Sequence, residues 1–270
     1  MKLLTLNCHS WQEDNQIDKL KIIAETIHKN DYDVIALQEV SQLISSDTVY
    51  DNIHKDNTAF LIKTFLEEIS DHKYYLTWDI SHIGFDKYEE GVAILSKYPL
   101  IEENSFIVSS STTRDNWKTR KIICTRIEIN SQIYDFYSVH LGWWDDIQDK
   151  FDSQIDKLLN YLDEEIPSFL MGDFNNDAFI AEEGYDYCLS KNLYDTYSLA
   201  QTKDNGVTIE FEIHGWEGRS KNKEHRIDWI LTNKNLNVLS SKCIFNGKNE
   251  PFVSDHYGVE IEIEFDKVSI

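Results

Sequence analysis

Proline is scarce, with 3 in 270 residues, and glycine contributes only 10. So little punctuation excludes a Pro/Gly-rich interdomain linker, and we read residues 1–270 as one compact domain. Cysteine is sparse as well. Cys8, Cys124, Cys188 and Cys243 lie far apart with no Cys-x-x-Cys pair, which speaks against a zinc knuckle or a thioredoxin-like motif. Free thiols buried in a reducing compartment are the natural reading. No apolar run is long enough to span a bilayer. Met1–Leu4 is too short for a signal-peptide core, so a cytoplasmic protein is the expectation. Positive charge is also short: 26 Lys and Arg stand against 48 Asp and Glu, a formal net charge of −22. That opposes sequence-blind binding to nucleic acid, which needs cations to neutralise phosphates. In so acidic a chain a bound divalent cation carries local weight.

What is present suffices for a large core: 41% of residues are hydrophobic and 13% aromatic. Lys2–Leu6 reads as a strand. Gln16–His28, with Ile17, Leu20, Ile23 and Ile27 at helical spacing, reads as an amphipathic helix, and Asp33–Leu37 as a second strand. Phe60–Ile69 is expected to be helical and Gly91–Leu95 a buried strand. Lys121–Ile129 and Gln132–Val139, split by Asn130-Ser131, predict a hairpin. Asp149–Leu162 and Asp177–Leu189 predict helices around a short strand at Ser168–Met171. Strands are expected at Val207–Ile213, Arg226–Leu231, Val238–Phe245 and Tyr257–Phe265. This α/β alternation fits two sheets packed face to face with helices outside, and also a doubly wound sheet.

Four separated segments place a metal-binding or proton-moving side chain at the end of an apolar run. They are Leu6-Asn7, Leu37-Gln38-Glu39, Gly172-Asp173-Phe174-Asn175 and Ser254-Asp255-His256. Rigid scaffolds present catalytic groups in this way, on the ends of several elements. Hard oxygen ligands beside imidazole suit Mg²⁺-type chemistry on a phosphate ester. Each segment alone also has a plain reading. Asn7 and Glu39 could end strands in solvent, and Asp173 and Asn175 could form an Asx turn with a cap at Asn176 or Asp177. If the strand instead continues, Asp173 and Asn175 share one face. Asp228 sits inside the apolar strand Arg226–Ile230, and burial of an unpaired Asp is costly, so it needs a partner such as His256 or a metal. His140 and Glu90, each at the edge of an apolar strand, could pair as a second dyad or be unrelated loop residues.

Taken together, Asn7, Gln38-Glu39, Glu90-Gly91, His140, Gly172–Asn175, Arg226–Trp229 and Ser254–His256 occur in an order that resembles the endonuclease/exonuclease/phosphatase superfamily. This is the fold of DNase I, abasic-site endonucleases, inositol polyphosphate 5-phosphatases and neutral sphingomyelinases. The resemblance spans Asn7 to His256. It implies a four-layer α/β sandwich, two packed mixed β-sheets flanked by helices, and divalent-metal-dependent cleavage of a phosphate ester. On that likeness Glu39 corresponds to the main metal ligand, with Asn7 beside it and Asp255 as a second metal-side carboxylate. Asp173 and Asn175 correspond to the pair that orients the attacking water and a phosphate oxygen. His256 resembles the general base, supported by Asp228. His140, backed by Glu90, resembles the imidazole that holds a phosphoryl oxygen. The cofactor implied is Mg²⁺, with Mn²⁺ as a substitute.

The chain departs from the nucleases where they commonly carry a basic residue after the metal-binding Glu: here Val40 and Ser41 follow. A phosphomonoesterase acting on a soluble sugar phosphate is therefore the expected activity. Trp117, Trp143, Trp144 and Trp216 offer faces for a sugar ring, and Lys118, Arg120, Arg219 or Lys221 could hold a phosphate. The opening Leu-Asn-Cys-His-Ser-Trp and the Leu-Gln-Glu-Val segment resemble the bacterial branch that includes maltose 6-phosphate phosphatases. A phosphodiesterase, either nuclease or sphingomyelinase-like, is the alternative, and a non-catalytic binding protein a third. Leu43–Ala59, Asp79–Glu89 and Ser109–Lys118 are expected to be substrate-shaping loops.

Overall fold

The computed structural model describes every residue except 212, 214, 217, 219–223 and 265–270. From the N-terminus the chain forms β1 (Lys2–Asn7), α1 (Gln16–Asn30), β2 (Val34–Leu43), β3 (Thr48–Tyr50), β4 (Ile53–His54) and α2 (Thr58–Ile69). Next come β5 (Tyr75–Gly84), β6 (Tyr88–Ser96), β7 (Leu100–Ile107), β8 (Lys121–Ile129) and β9 (Gln132–His140). Then follow α3 (Phe151–Leu159), β10 (Ser168–Asp173), α4 (Gly184–Ser190), β11 (Tyr194–Asp195) and α5 (Thr196–Leu199). The chain closes with β12 (Thr202–Lys203), β13 (Asp228–Thr232), β14 (Val238–Ile244) and β15 (Gly258–Ile263).

Two large mixed sheets result, as the four-layer expectation requires. One has the order β12-β14-β15-β1-β2-β6-β5 and the other β11-β13-β10-β9-β8-β7. Side chains alternate along each strand, so each sheet buries two faces. Leu3, Val34, Ala36, Val92 and Ile94 of the first sheet meet Ile123, Ile127, Phe136, Phe169, Met171 and Ile230 of the second in the central core. Leu4, Leu6, Ile35 and Leu37 point the other way, onto Leu20, Ile23 and Ile27 of α1 and Ile62 and Leu66 of α2. On the far side, Val139, Leu170, Trp229 and Leu231 pack on Phe151, Ile155 and Leu158 of α3 and Cys188 of α4. Asn57 caps α2 by accepting the Phe60 N–H at 3.1 Å.

Several expectations change. β2 runs on to Leu43, and β5 and β7 are strands that composition disguised: β7 is mostly exposed and reads polar. Asp79–Glu89 is therefore largely a hairpin rather than a loop, with only its turn exposed at Phe85. The Asp177–Leu189 helix shrinks to Gly184–Ser190, because Asp177 is occupied elsewhere: its Oδ1 accepts the Phe179 and Arg226 N–H groups. Of the strand expected at Val207–Ile213, the described residues form only a single bridge, Ile209 to His225. The outer end of Tyr257–Phe265 lies outside the described residues. Ile17, placed on the buried face of α1, is 41% exposed. No helix among the described residues is long and apolar enough to cross a membrane.

Candidate active site

Strand register collects the polar side chains. In the second sheet His140, Asp173 and Asp228 stand in one row across β9, β10 and β13. In the first sheet Asn7 stands beside Gln38. Gly172 makes the row in the second sheet possible: its φ is +154°, and a Cβ there would lie 1.9 Å from the Val139 carbonyl oxygen.

Glu39 reaches the site through a β-bulge. The register of β2 against β6 shifts between Leu37 and Val40, and Glu39 takes a left-handed φ of 49°. Bulges commonly re-aim a side chain beside an active site. This one is clamped, since Ser10 Oγ donates to the Glu39 carbonyl and Trp78 Nε1 donates to the Val40 carbonyl at 3.1 Å. The preceding Gln38 ties the two sheets together: its Nε2 donates to Ser138 Oγ at 3.0 Å, while its Oε1 accepts from Thr5 Oγ1 at 3.2 Å.

Asp173 is the hub. Its Oδ1 accepts the Asn175 N–H at 2.8 Å. Its Oδ2 accepts from Asn7 Nδ2 at 3.1 Å and lies 3.6 Å from His140 Nε2 and 3.9 Å from His256 Nε2. Asn7 Nδ2 also donates to Glu39 at 2.9 Å, and its Oδ1 accepts from the His9 N–H, so Asn7 sits as a strut between two carboxylates. His256 Nδ1 is 3.0 Å from Asp228 Oδ2. Ser254 holds this end in place, donating to the Asn7 carbonyl at 2.7 Å and accepting the His256 N–H at 3.2 Å. The partner expected for Asp228 is thus His256.

Electrostatics separates these groups. Burial raises the Asp173 carboxyl, His256 partly offsets that, Asp228 adds to it, and the result is about 7. Burial also raises Glu39, with repulsion from Glu90 and Asp255. Burial pushes His140 well below the usual imidazole range, helped by the Arg120 guanidinium, whose Nη1 is 3.4 Å away. For His256 burial acts downward, but the Asp228 carboxylate wins and holds it well above that range.

The structure corrects several site expectations. Glu90 does not back His140: it faces His82 across the β5–β6 hairpin, with His82 Nε2 3.3 Å from Glu90 Oε1. Trp144 lies away from the cleft and packs on Phe151 and Tyr187. Asp173 and Asn175 do not share a strand face. β10 ends at Asp173, and Asn175 returns through a turn with φ 51°. Asp255 lines the cleft but groups with His9 and Glu13, whose ligand atoms lie within 4.8 Å of one another. Lys118 is engaged by Asp146 and Gln148. Arg219 and Lys221 lie outside the described residues.

The assembled groups border a cleft of about 420 Å³. Glu39, His140, Asp173, Asp255 and His256 share its lining with Arg120, Trp143, His82 and His9. Arg120 is buried, and its Cζ sits 5.8 Å from the Trp143 ring centroid. Trp117 meets Trp143 edge-on at 6.0 Å. Trp117 and Phe85, 53% and 69% exposed, form the mouth. Sequence reasoning passed over His82, His9 and Phe85. A correct β5–β6 register would have found the first, because it sets His82 opposite Glu90.

Fold and site together define a hydrolase of phosphate esters. The chain belongs to the endonuclease/exonuclease/phosphatase family, whose sequence profile matches residues 4–256. Among solved structures it is similar to an endonuclease/exonuclease/phosphatase family protein from Leptotrichia buccalis. The two share 40% identity at a TM-score of 0.91, covering 98% of this chain and 100% of that one. A mannosyl-6-phosphatase from Bacteroides thetaiotaomicron VPI-5482 shares the fold at 18% identity and a TM-score of 0.72, covering 98% and 100%. Truncated TDP2 from Caenorhabditis elegans does so at 15% and 0.63, covering 96% and 95%. Among curated proteins nothing matches the chain.

Proposed function

We propose that this protein is a Mg²⁺-dependent phosphomonoesterase whose substrate is a soluble sugar phosphate, of the maltose 6-phosphate type. The observation that carries this reading is the convergence of Glu39, Asp173, His140, His256 and Arg120 on one cleft that opens between aromatic rings. The donor set fits a hard divalent cation. Glu39, His140 and Asp173 offer ligand atoms within 4.8 Å of one another, and burial and neighbouring acids raise both carboxyls despite the His256 imidazole beside Asp173 and His9 near Glu39. Glu39 and Asp173 would hold the ion, with Asn7 between them and Asp255 at the cleft edge, and Mn²⁺ would substitute. When bound, such a cation neutralises phosphate charge and offsets the carboxylates that keep a proton on His256.

The chain's own groups then divide the work. His256 takes a proton from water at Nε2, with Asp228 fixing its ring through Nδ1. Arg120, with the neutral His140 beside it, receives a phosphoryl oxygen, and Asn175 supplies a second donor. Trp143, Trp117 and Phe85 receive the sugar face. Glu90 acts through His82 at the cleft wall. A net charge of −22 disfavours a polyanion as substrate. The four free cysteines fit a cytoplasmic setting. The sheets and their helices are proposed to act as one domain over residues 1–270.

Phosphate release from a panel of sugar phosphates, nucleotides, plasmid DNA and sphingomyelin, with Mg²⁺ and with EDTA, tests the reading. Release from a sugar phosphate, abolished by EDTA, is expected. DNA nicking of comparable efficiency would replace the phosphomonoesterase by the phosphodiesterase alternative.

A further inference from the structure

Asn175 is held from three directions. Its backbone N–H is taken by Asp173, its side-chain Nδ2 donates to the Leu141 carbonyl at 2.9 Å, and its Oδ1 accepts from Trp216 Nε1 at 3.1 Å. An indole nitrogen can only donate, and a backbone carbonyl can only accept. These two partners therefore admit one orientation of the amide and reject its flip, which would set N–H against N–H and oxygen against oxygen. The orientation leaves the second Nδ2 hydrogen for the cleft that Asn175 lines.

Trp216 is itself fixed from behind. It is 7% exposed and does not line the cleft. Its ring lies against His225, with centroids 4.9 Å apart and planes inclined by 34°. His225 is anchored in turn, with Nδ1 2.8 Å from the buried Asp177 carboxylate. The sequence suggests Trp216 as a platform for the sugar. The structure sets it behind the amide instead.

We infer that Trp216 is a positioning residue whose indole N–H selects the orientation in which Asn175 turns a donor toward a phosphoryl oxygen. The kinetic consequence rests on the hydrolase reading above; the structural consequence does not.

Trp216→Phe keeps a ring against His225 and removes one donor. Its Asn175 side-chain ¹H–¹⁵N resonances are expected to shift or double. With a hydrolysed sugar phosphate, kcat falls by about tenfold, the worth of one well-placed hydrogen bond, while KM stays near wild type. In an Asn175→Ala background the same substitution has no further effect on kcat. A second measurement needs no change at Trp216. The Nε1–H of Trp216 is expected to exchange slowly with solvent in the wild-type protein, and Asn175→Ala to speed it. Unaltered Asn175 resonances in Trp216→Phe, or a loss of kcat just as large without Asn175, overturns the inference, as does Trp216 exchange indifferent to Asn175→Ala. A wild-type protein inert on every phosphate ester would instead mark failure of the hydrolase reading, with the resonance and exchange arms still deciding the role of Trp216.

Discussion

Buried beneath the cleft, with Asp228 and Glu39 nearby, the Asp173 carboxyl stands at about 7 against an ordinary value of 3.8. Between those two values the folded protein holds a proton that the unfolded chain has released. Stability without metal therefore falls as pH rises through that window, at up to about 1.4 kcal/mol per pH unit for this group. Asp173→Asn removes the effect. In EDTA, the unfolding free energy of the variant minus that of wild type should grow from pH 5 to pH 8, and saturating Mg²⁺ should flatten the trend. A difference that ignores pH would show that Asp173 is not buried among uncompensated charge. Residue roles are checked by turnover. Glu39→Gln should abolish activity while unfolding near wild type; His256→Asn should abolish activity and also lower the unfolding temperature, because it takes the imidazole from the buried Asp228 carboxylate. Asn175→Ala should cost on the order of 10²–10³ in kcat, the usual loss of one oxyanion donor. Full turnover in any of the three would remove that residue from its role. Glu39, Asp173, Asp228 and His256 could be read from the sequence because each interrupts or ends an apolar run. The pairing of Glu90 with His82, and the opposite facing of Trp143 and Trp144, could not: both depend on tertiary register.

Among the elements, β2 joins fold to function. Its bulge re-aims Glu39, and the residue before it bolts the sheets together. Gln38→Leu takes the acceptor from the buried Thr5 hydroxyl and one donor from Ser138, which keeps its bond to the Leu37 carbonyl, and should cost about 1–3 kcal/mol in urea unfolding. A neutral change would mean that the central apolar core alone sets the sheet register. No bulge was visible in Val34–Leu43, because the extra residue is defined only against β6. The hairpin of β8 and β9 was visible, since it is local: Asn130 and Ser131 both adopt positive φ, as a tight turn demands. Gly91 belongs with the non-local features. A Cβ there would meet the Asp79 carbonyl oxygen at 2.0 Å, so it exists for the approach of β5.

At the scale of the whole molecule, the four thiols make a further check. Cys8, Cys188 and Cys243 are buried and Cys124 is half-buried, and burial raises every one of their thiols. A thiol reagent should label the native protein slowly and all four cysteines after denaturation; a fast native thiol would contradict the packing of the sandwich. The two-sheet architecture was legible because hydrophobic alternation repeats across many strands, whereas the aromatic mouth of the cleft was legible only in part: Trp117 and Trp143 stand out in the sequence, but Phe85 belongs to a turn that only the β5–β6 pairing defines. The proposed site needs distant strand ends to gather around a divalent cation. Anomalous diffraction from crystals soaked in Mn²⁺ tests it most directly. A peak bounded by the carboxylates of Glu39 and Asp173, lost in Glu39→Gln, is expected. A cleft without a peak, or a sole peak among His9, Glu13 and Asp255, would contradict it.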